Sequence, residues 1–230
     1  MPFAFDPAPV PSLAIAGSTA RFPVRRIYCI GRNYADHARE MGAAVERSQP
    51  MFFMKPVDAI VADEGAGVVV GYPQATAELH HEVELVVALA RGGRDLDAGA
   101  ALDRIFGYAV GLDLTRRDLQ AAAKSKGHPW DAAKAFDQSA PVSRLHPASG
   151  AVPSSGRLTL AINGTTRQDA DIADMVLPIG EVLAALSRLW ELAPGDLVFT
   201  GTPAGVGALA RGDRFEARFG DMARLEGRIA

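Results

Sequence analysis

Apolar and polar residues alternate most clearly over residues 82–90. Val83, Leu85, Val87 and Leu89 fall on one side of an extended chain, and Glu82, Glu84, Val86 and Ala88 fall on the other. That period of two predicts a strand. Short apolar stretches predict further strands at residues 27–30, 67–71, 105–113, 158–162, 196–200, 214–219 and 223–229. Asn163-Gly164 suits a type I′ turn and predicts a hairpin, and Gly220-Asp221 predicts the turn between the last two strands. Helical patterning is rarer. It predicts a helix over residues 33–41 stopped by Gly42, a short one over 98–104, one after Thr115 stopped by Gly127, and an amphipathic segment within 175–192. Thr115 is the candidate cap of the third helix, with Asp118 adding negative charge to its first turn.

The strands are irregularly spaced and mostly lack long helices between them, so the expected class is α+β and β-dominated. No internal repeat appears. Residues 1–25 carry Pro2, Pro7, Pro9, Pro11 and Pro23 and predict an extended N-terminal arm with little local order, leaving 26–230 as the domain.

Composition narrows the functional classes. Apolar residues make up 48% of the 230 and charged residues 22%, as in an ordinary globular enzyme. The net charge of −3, with no basic block longer than Arg25-Arg26 or Arg116-Arg117, argues against nucleic acid or anionic membrane as a partner. No apolar run approaches a membrane span, and the first residues lack the pattern of a signal peptide. The single cysteine, Cys29, lies in an apolar run and is expected to be a buried thiol, not a nucleophile. With no disulfide possible within the chain, the expected setting is cytoplasmic.

The candidate chemistry centres on Glu82 and Glu84. On one strand face they stand about 7 Å apart at the backbone, within reach of one ion. The alternative is a half-exposed edge strand with solvated glutamates, but Val86 and Ala88 make that face apolar, and carboxylates at the end of a buried strand need a partner. Asp113 ends a second apolar strand in which glycines allow close approach. Three oxygen ligands with open positions suit Mg²⁺ or Mn²⁺ better than zinc. His80 shares the Glu82 face and is a candidate for packing or outer contact more than for ligation. Arg117 and Gln120, three apart on a helix, can hold substrate oxygens or form an ordinary polar face. Lys134, set among small and aromatic residues, can stabilise a developing enolate or simply snorkel. His37 and Glu40 are spaced to act as a base with its orienting acid, or to sit as an exposed pair. The stretch 200–207 is rich in glycine but lacks a phosphate-loop ending, so it is expected to form a tight wall around a ligand. No Gly-x-Ser-x-Gly elbow is present, which argues against a serine hydrolase.

Five segments in order carry a resemblance: Gly31-Arg32-Asn33-Tyr34 with His37, Phe53-Met54-Lys55-Pro56, His81-Glu82-x-Glu84-Leu85, Asp113-Leu114-Thr115-x-Arg117-Asp118, and Thr200-Gly201-Thr202-Pro203-x-Gly205-Val206-Gly207. Together they resemble the fumarylacetoacetate hydrolase family, from about Arg26 to the C-terminus. The resemblance implies a distorted β-roll, assembled as a homodimer, with Mg²⁺ or Mn²⁺ on Glu82, Glu84 and Asp113. It implies His37 and Glu40 as a catalytic dyad on a mobile lid, with Lys134, Gln120 and Thr200 around a small 2-oxo acid. The expected reaction is hydrolysis of the C3–C4 bond of an acylpyruvate, foremost fumarylpyruvate, with Arg32 or Arg117 meeting a far carboxylate. The alternatives are decarboxylation of oxaloacetate, hydrolysis of acetylpyruvate, isomerisation of a 2-oxo dienoate and, outside enzymes, a metal-binding scaffold.

Overall fold

The computed structural model of the chain describes residues 3–40, 42 and 47–230. Met1 and Pro2 of the arm and the expected helix end at Met41 lie outside the described residues. Gly42 takes a left-handed φ of 65°, as a helix-stopping glycine does.

The alternating segment forms the strand Val83–Leu89, every residue of it buried, after a shorter strand, Leu79–His81. It lies inside a sheet of eight strands, between Asp196–Phe199 and Ile105–Leu112. The half-exposed alternative fails because both faces of this sheet are covered. Val83, Leu85, Val87 and Leu89 pack with Tyr28, Val110 and Val198 against a second, five-stranded sheet. Val86 and Ala88 pack on the other face with Ile27, Cys29 and Phe199. Cys29 is buried, and burial pushes its thiol pKa up, as a structural thiol requires.

The glycines of residues 105–113 work as expected. A Cβ on Gly107 would stand 2.2 Å from the His146 carbonyl oxygen, and one on Gly111 would stand 2.9 Å from the Phe199 ring. The Asn163-Gly164 turn joins Arg157–Ile162 to Thr165–Asp171, both turn residues at positive φ.

The amphipathic helix spans Ile179–Leu189, inside the expected 175–192, with Pro178 at its N-cap and Trp190 extended at its end. Two local expectations change. Thr115 is not a cap. It pairs with His80 in a short strand, its hydroxyl donates to the Asp113 carbonyl at 3.1 Å, and Arg116 occupies the cap position before Arg117–Lys126. The N-terminal arm is also more ordered than its prolines predict. Ser12–Ala14 pairs antiparallel with Arg21–Pro23, and Leu13, Phe22 and Val24 are buried on the Cys29 face of the large sheet. Burial against the sheet, not local propensity, orders this segment.

Candidate active site

The register of the two central strands builds the site. Val83 pairs with Leu112, so the Asp113 backbone N–H donates to the Glu82 carbonyl at 2.8 Å and the two acids end adjacent strands side by side. Glu84, one pleat further in, faces the same way. Oxygens of Glu82, Glu84 and Asp113 all lie within 4.8 Å of one another, and all three residues are buried.

Their charge balance is uneven. Lys134 Nζ donates to Glu82 at 2.7 Å and to Asp113 at 2.6 Å, and Arg117 Nη2 donates to Glu82 at 2.5 Å. Lys55 Nζ stands 2.8 Å from the other Asp113 oxygen, a close ion pair outside hydrogen-bond geometry, and donates to the Leu114 and Lys134 carbonyls. Glu84, only 1% exposed, accepts from the Gly201 N–H at 2.6 Å and has no cation at ion-pair distance among the described residues. The pKa values follow. Burial works to raise the Glu82 carboxyl, but Lys134 and Arg117 outweigh it and hold it below the carboxylate range. Burial and then the Asp113 and Glu82 charges push Glu84 well above that range.

Three hard oxygen donors converge here, one of them an uncompensated buried carboxyl, and this set fits a divalent cation. His80 does not join it. Its Nδ1 meets Arg117 Nε at 3.4 Å, and burial followed by the Arg117 charge pushes its pKa down to about 4. His81 points elsewhere and holds Gln168 at 3.0 Å.

Across a narrow space from the acids stands the helix Ala35–Glu40. His37 is buried, and its Nδ1 lies 3.5 Å from Glu40, close enough for charge interaction but outside hydrogen-bond geometry. Burial lowers the His37 pKa against the opposing pull of Glu82 and Glu40, so the imidazole is neutral near pH 7, as a base must be. Glu40 also accepts from the Gly205 N–H at 3.2 Å, which ties this helix to the loop 200–207. That loop forms the expected tight wall. A side chain at Gly201 (φ 96°) would meet Asn33 Cβ at 2.7 Å, and Asn33 in turn grips the Thr200 and Leu177 carbonyls.

Arg32, His37, Arg117, Gln120 and Lys134 line the space above the three acids. Two expectations are corrected. The Thr200 hydroxyl donates to the Leu85 carbonyl at 2.9 Å, and Thr202 lines the space instead. Arg117 is committed to Glu82 and, at 2.5 Å, to Gln120, so it is not a free cation for a far carboxylate. Sequence reasoning missed Lys55, Lys124 and Thr202 as site residues. A lysine ending the apolar run 51–55 was the legible signal for Lys55, and helical spacing from Arg117 and Gln120 was the signal for Lys124.

The chain belongs to the fumarylacetoacetate hydrolase family: the model described as fumarylacetoacetate (FAA) hydrolase C-terminal matches residues 26–230. It is 44% identical over 194 residues to the mitochondrial oxaloacetate tautomerase of Rattus norvegicus, covering 84% of this chain and 86% of that one. It is 38% identical over 187 residues to a fumarylpyruvate hydrolase of Ralstonia sp., covering 80% of this chain and 96% of the relative. In structure it is similar to the fumarylpyruvate hydrolase of Pseudomonas aeruginosa solved in complex with Mn²⁺ and pyruvate. There the TM-score is 0.97 and the identity 47%, over 100% of this chain and 99% of the other. The β-dominated α+β fold is thus of the family's β-roll type.

Proposed function

We propose that the chain is a metal-dependent hydrolase that cleaves the C3–C4 bond of an acylpyruvate, with fumarylpyruvate as the substrate. The observation that carries this reading is the buried acid cluster, with no cation at ion-pair distance from Glu84 among the described residues, facing across one narrow space a neutral histidine whose Nδ1 stands 3.5 Å from Glu40. The similarity to fumarylpyruvate hydrolases supports it.

Glu82, Glu84 and Asp113 would hold Mg²⁺ or Mn²⁺, with Lys134 moving off the carboxylate oxygens it now bridges. The bound cation would polarise the 1-carboxylate and 2-oxo group of the substrate and favour enolate formation. His37, oriented by Glu40, takes a proton from water, and that water oxygen bonds to C4. The C3–C4 bond then breaks, its electron pair going to pyruvate as an enolate. The His37 proton returns to C3, giving pyruvate and the acyl acid. Gln120 and Thr202 orient substrate oxygens, and Lys134 supplies positive charge where the enolate forms. The space above the acids measures about 30 Å³, room for roughly one water. Substrate entry therefore requires the walls of the space to move, and the helix Ala35–Glu40, tied to Gly205 through Glu40, is one of them.

A second reading follows from the 44% identity to an oxaloacetate tautomerase. Here the same cluster would hold oxaloacetate while His37 moves a proton between C3 and the 2-oxo oxygen, with no water consumed. Turnover of fumarylpyruvate, acetylpyruvate and oxaloacetate, with Mg²⁺ or Mn²⁺ and then with chelator, separates the readings. A preference for oxaloacetate, or chelator-insensitive turnover by a still-folded protein, overturns the first.

By resemblance the chain is further expected to assemble as a homodimer, which its mass in solution tests. The absence of a disulfide partner for Cys29 fits a reducing compartment such as the cytoplasm. No helix among the described residues is long and apolar enough to cross a membrane.

A further inference from the structure

A buried amide joins the loop 200–207 to the hairpin strand Thr165–Asp171. Gln168 is the one buried residue of that strand, with 0% exposure. It lies beside a break in register: Leu160 pairs with Gln168 but Ala161 pairs with Thr166, leaving Arg167 as an extra residue. Such a bulge re-aims the neighbouring side chains. Strand and loop also touch through their backbones, since a Cβ on Gly205 (φ 93°) would stand 2.2 Å from the Arg167 carbonyl oxygen.

The direction of each hydrogen bond around Gln168 is fixed by groups of a single polarity. The Val83 backbone N–H can only donate, and it meets Oε1 at 3.0 Å. The Pro203 carbonyl can only accept, and it meets Nε2 at 2.9 Å. The amide therefore cannot be reversed. His81 Nδ1 lies 3.0 Å from the same Oε1 and so carries a proton that it donates there. At the other end Nε2 donates to Thr202 Oγ at 2.8 Å, which fills all four hydrogen-bonding positions of the amide.

Thr202 thus receives a hydrogen bond and keeps its own proton to give. No acceptor for that proton is present among the described residues, and Thr202 lines the narrow space above Glu82, Glu84 and Asp113. The loop is held on the near side as well: Glu84 accepts from the Gly201 N–H at 2.6 Å, and the Thr200 hydroxyl donates to the Leu85 carbonyl at 2.9 Å.

We propose that Gln168 is a positioning residue: by donating to Thr202, it fixes the Thr202 hydroxyl as a hydrogen-bond donor to an oxygen of the bound 2-oxo acid. This rests on the 2-oxo acid reading above and adds what sets the direction of one of its contacts. A freely rotating hydroxyl would offer that oxygen its lone pairs as readily as its proton. The buried amide removes the choice before the substrate arrives.

Gln168→Glu keeps the shape and changes the polarity. A buried glutamic acid brings one proton where glutamine brings two. Given to the Pro203 carbonyl, that proton leaves the second oxygen to accept from Thr202, whose hydroxyl then turns away from the cleft. An ionised carboxylate would turn it the same way.

The test is calorimetry with oxalate on the Mn²⁺-saturated full-length protein, with no turnover required. Thr202→Val should weaken oxalate binding about tenfold or more, the usual worth of a hydrogen bond to a charged group, and Thr202→Ser should keep most of it. Gln168→Glu should weaken binding to a similar extent, yet cost nothing further in a Thr202→Val protein. Gln168→Met, which brings no proton at all, takes its place if Gln168→Glu does not fold, and should behave alike. Wild-type affinity in the Thr202→Val protein or in the Gln168 variant removes the inference. So does a Gln168 loss of equal size with and without the Thr202 hydroxyl, the mark of a residue that only holds the fold. Each of these results leaves the 2-oxo acid reading standing, because the wild type still binds oxalate. A Mn²⁺-saturated wild type that does not bind oxalate removes both.

Discussion

The hollow over the five-stranded sheet and the narrow space above Glu82, Glu84 and Asp113 differ in opposite senses. The hollow holds about 690 Å³ and the space about 30 Å³, yet the chemistry is in the smaller one. Along the hollow, the two lining carboxylates are paired by arginines beside it: Glu216 accepts from Arg218 at 2.7 Å and from Arg224 at 2.5 Å, and Glu226 accepts from Arg224, all in contact with solvent. At the acid cluster, one carboxyl is buried with no cation at ion-pair distance among the described residues. Unbalanced buried charge, not volume, marks the place where a ligand completes the structure.

The strongest way to break this comparison is His37→Ala. It should lower kcat by about two to four orders of magnitude, the usual worth of a positioned base. Oxalate should still bind the metal-loaded variant in calorimetry; loss of oxalate binding would show His37 to be structural or a ligand. Next is Glu84→Gln. It should weaken Mn²⁺ binding by at least the roughly 10–100-fold typical of disturbed metal sites. The metal-free variant should melt no lower than the metal-free wild type, because the amide removes a carboxyl that burial and two like charges already disfavour. A clear drop in metal-free Tm would mean that Glu84 is balanced by the protein itself.

A smaller effect sharpens the role of Glu40. The base must be neutral, so kcat/KM should fall as pH drops through the His37 pKa, and burial places that midpoint below 6.5. Glu40 raises this pKa, so Glu40→Gln should move the acid limb of the profile to still lower pH. An unmoved limb would separate Glu40 from the base. The smallest effect belongs to the hollow. Glu216→Gln breaks pairs that are a third to a half exposed, so stability should change by no more than about 1 kcal/mol and turnover not at all. Lost turnover there would return the large hollow to consideration as a site.

Much of this was legible in the chain because the signals are local. The period of two over 82–90 placed Glu82 and Glu84 on one face, and the strand in the structure keeps that parity. Asn163-Gly164 and Gly127 made their turn and helix stop, since each needs only its own φ. His37 with Glu40, and Arg117 with Gln120, met at helical spacing as expected.

What tertiary structure alone decided is which charges balance. Lys134 reaches Glu82 across 52 residues, Lys55 reaches the Leu114 carbonyl across 59, and Asn33 fixes Thr200 across 167. No local pattern encodes those distances. The same holds for the arm, where Leu13 and Phe22 are ordered by the sheet they cover despite the surrounding prolines, and for Thr115, which the ladder with His80 took from its capping role. Sequence supplied the donors and their faces because side-chain direction follows from backbone period within a few residues. Only the pairing of distant strands and helices determined that Arg117 is occupied and that Glu84 has no cation at ion-pair distance among the described residues, because ion pairing depends on separations in space.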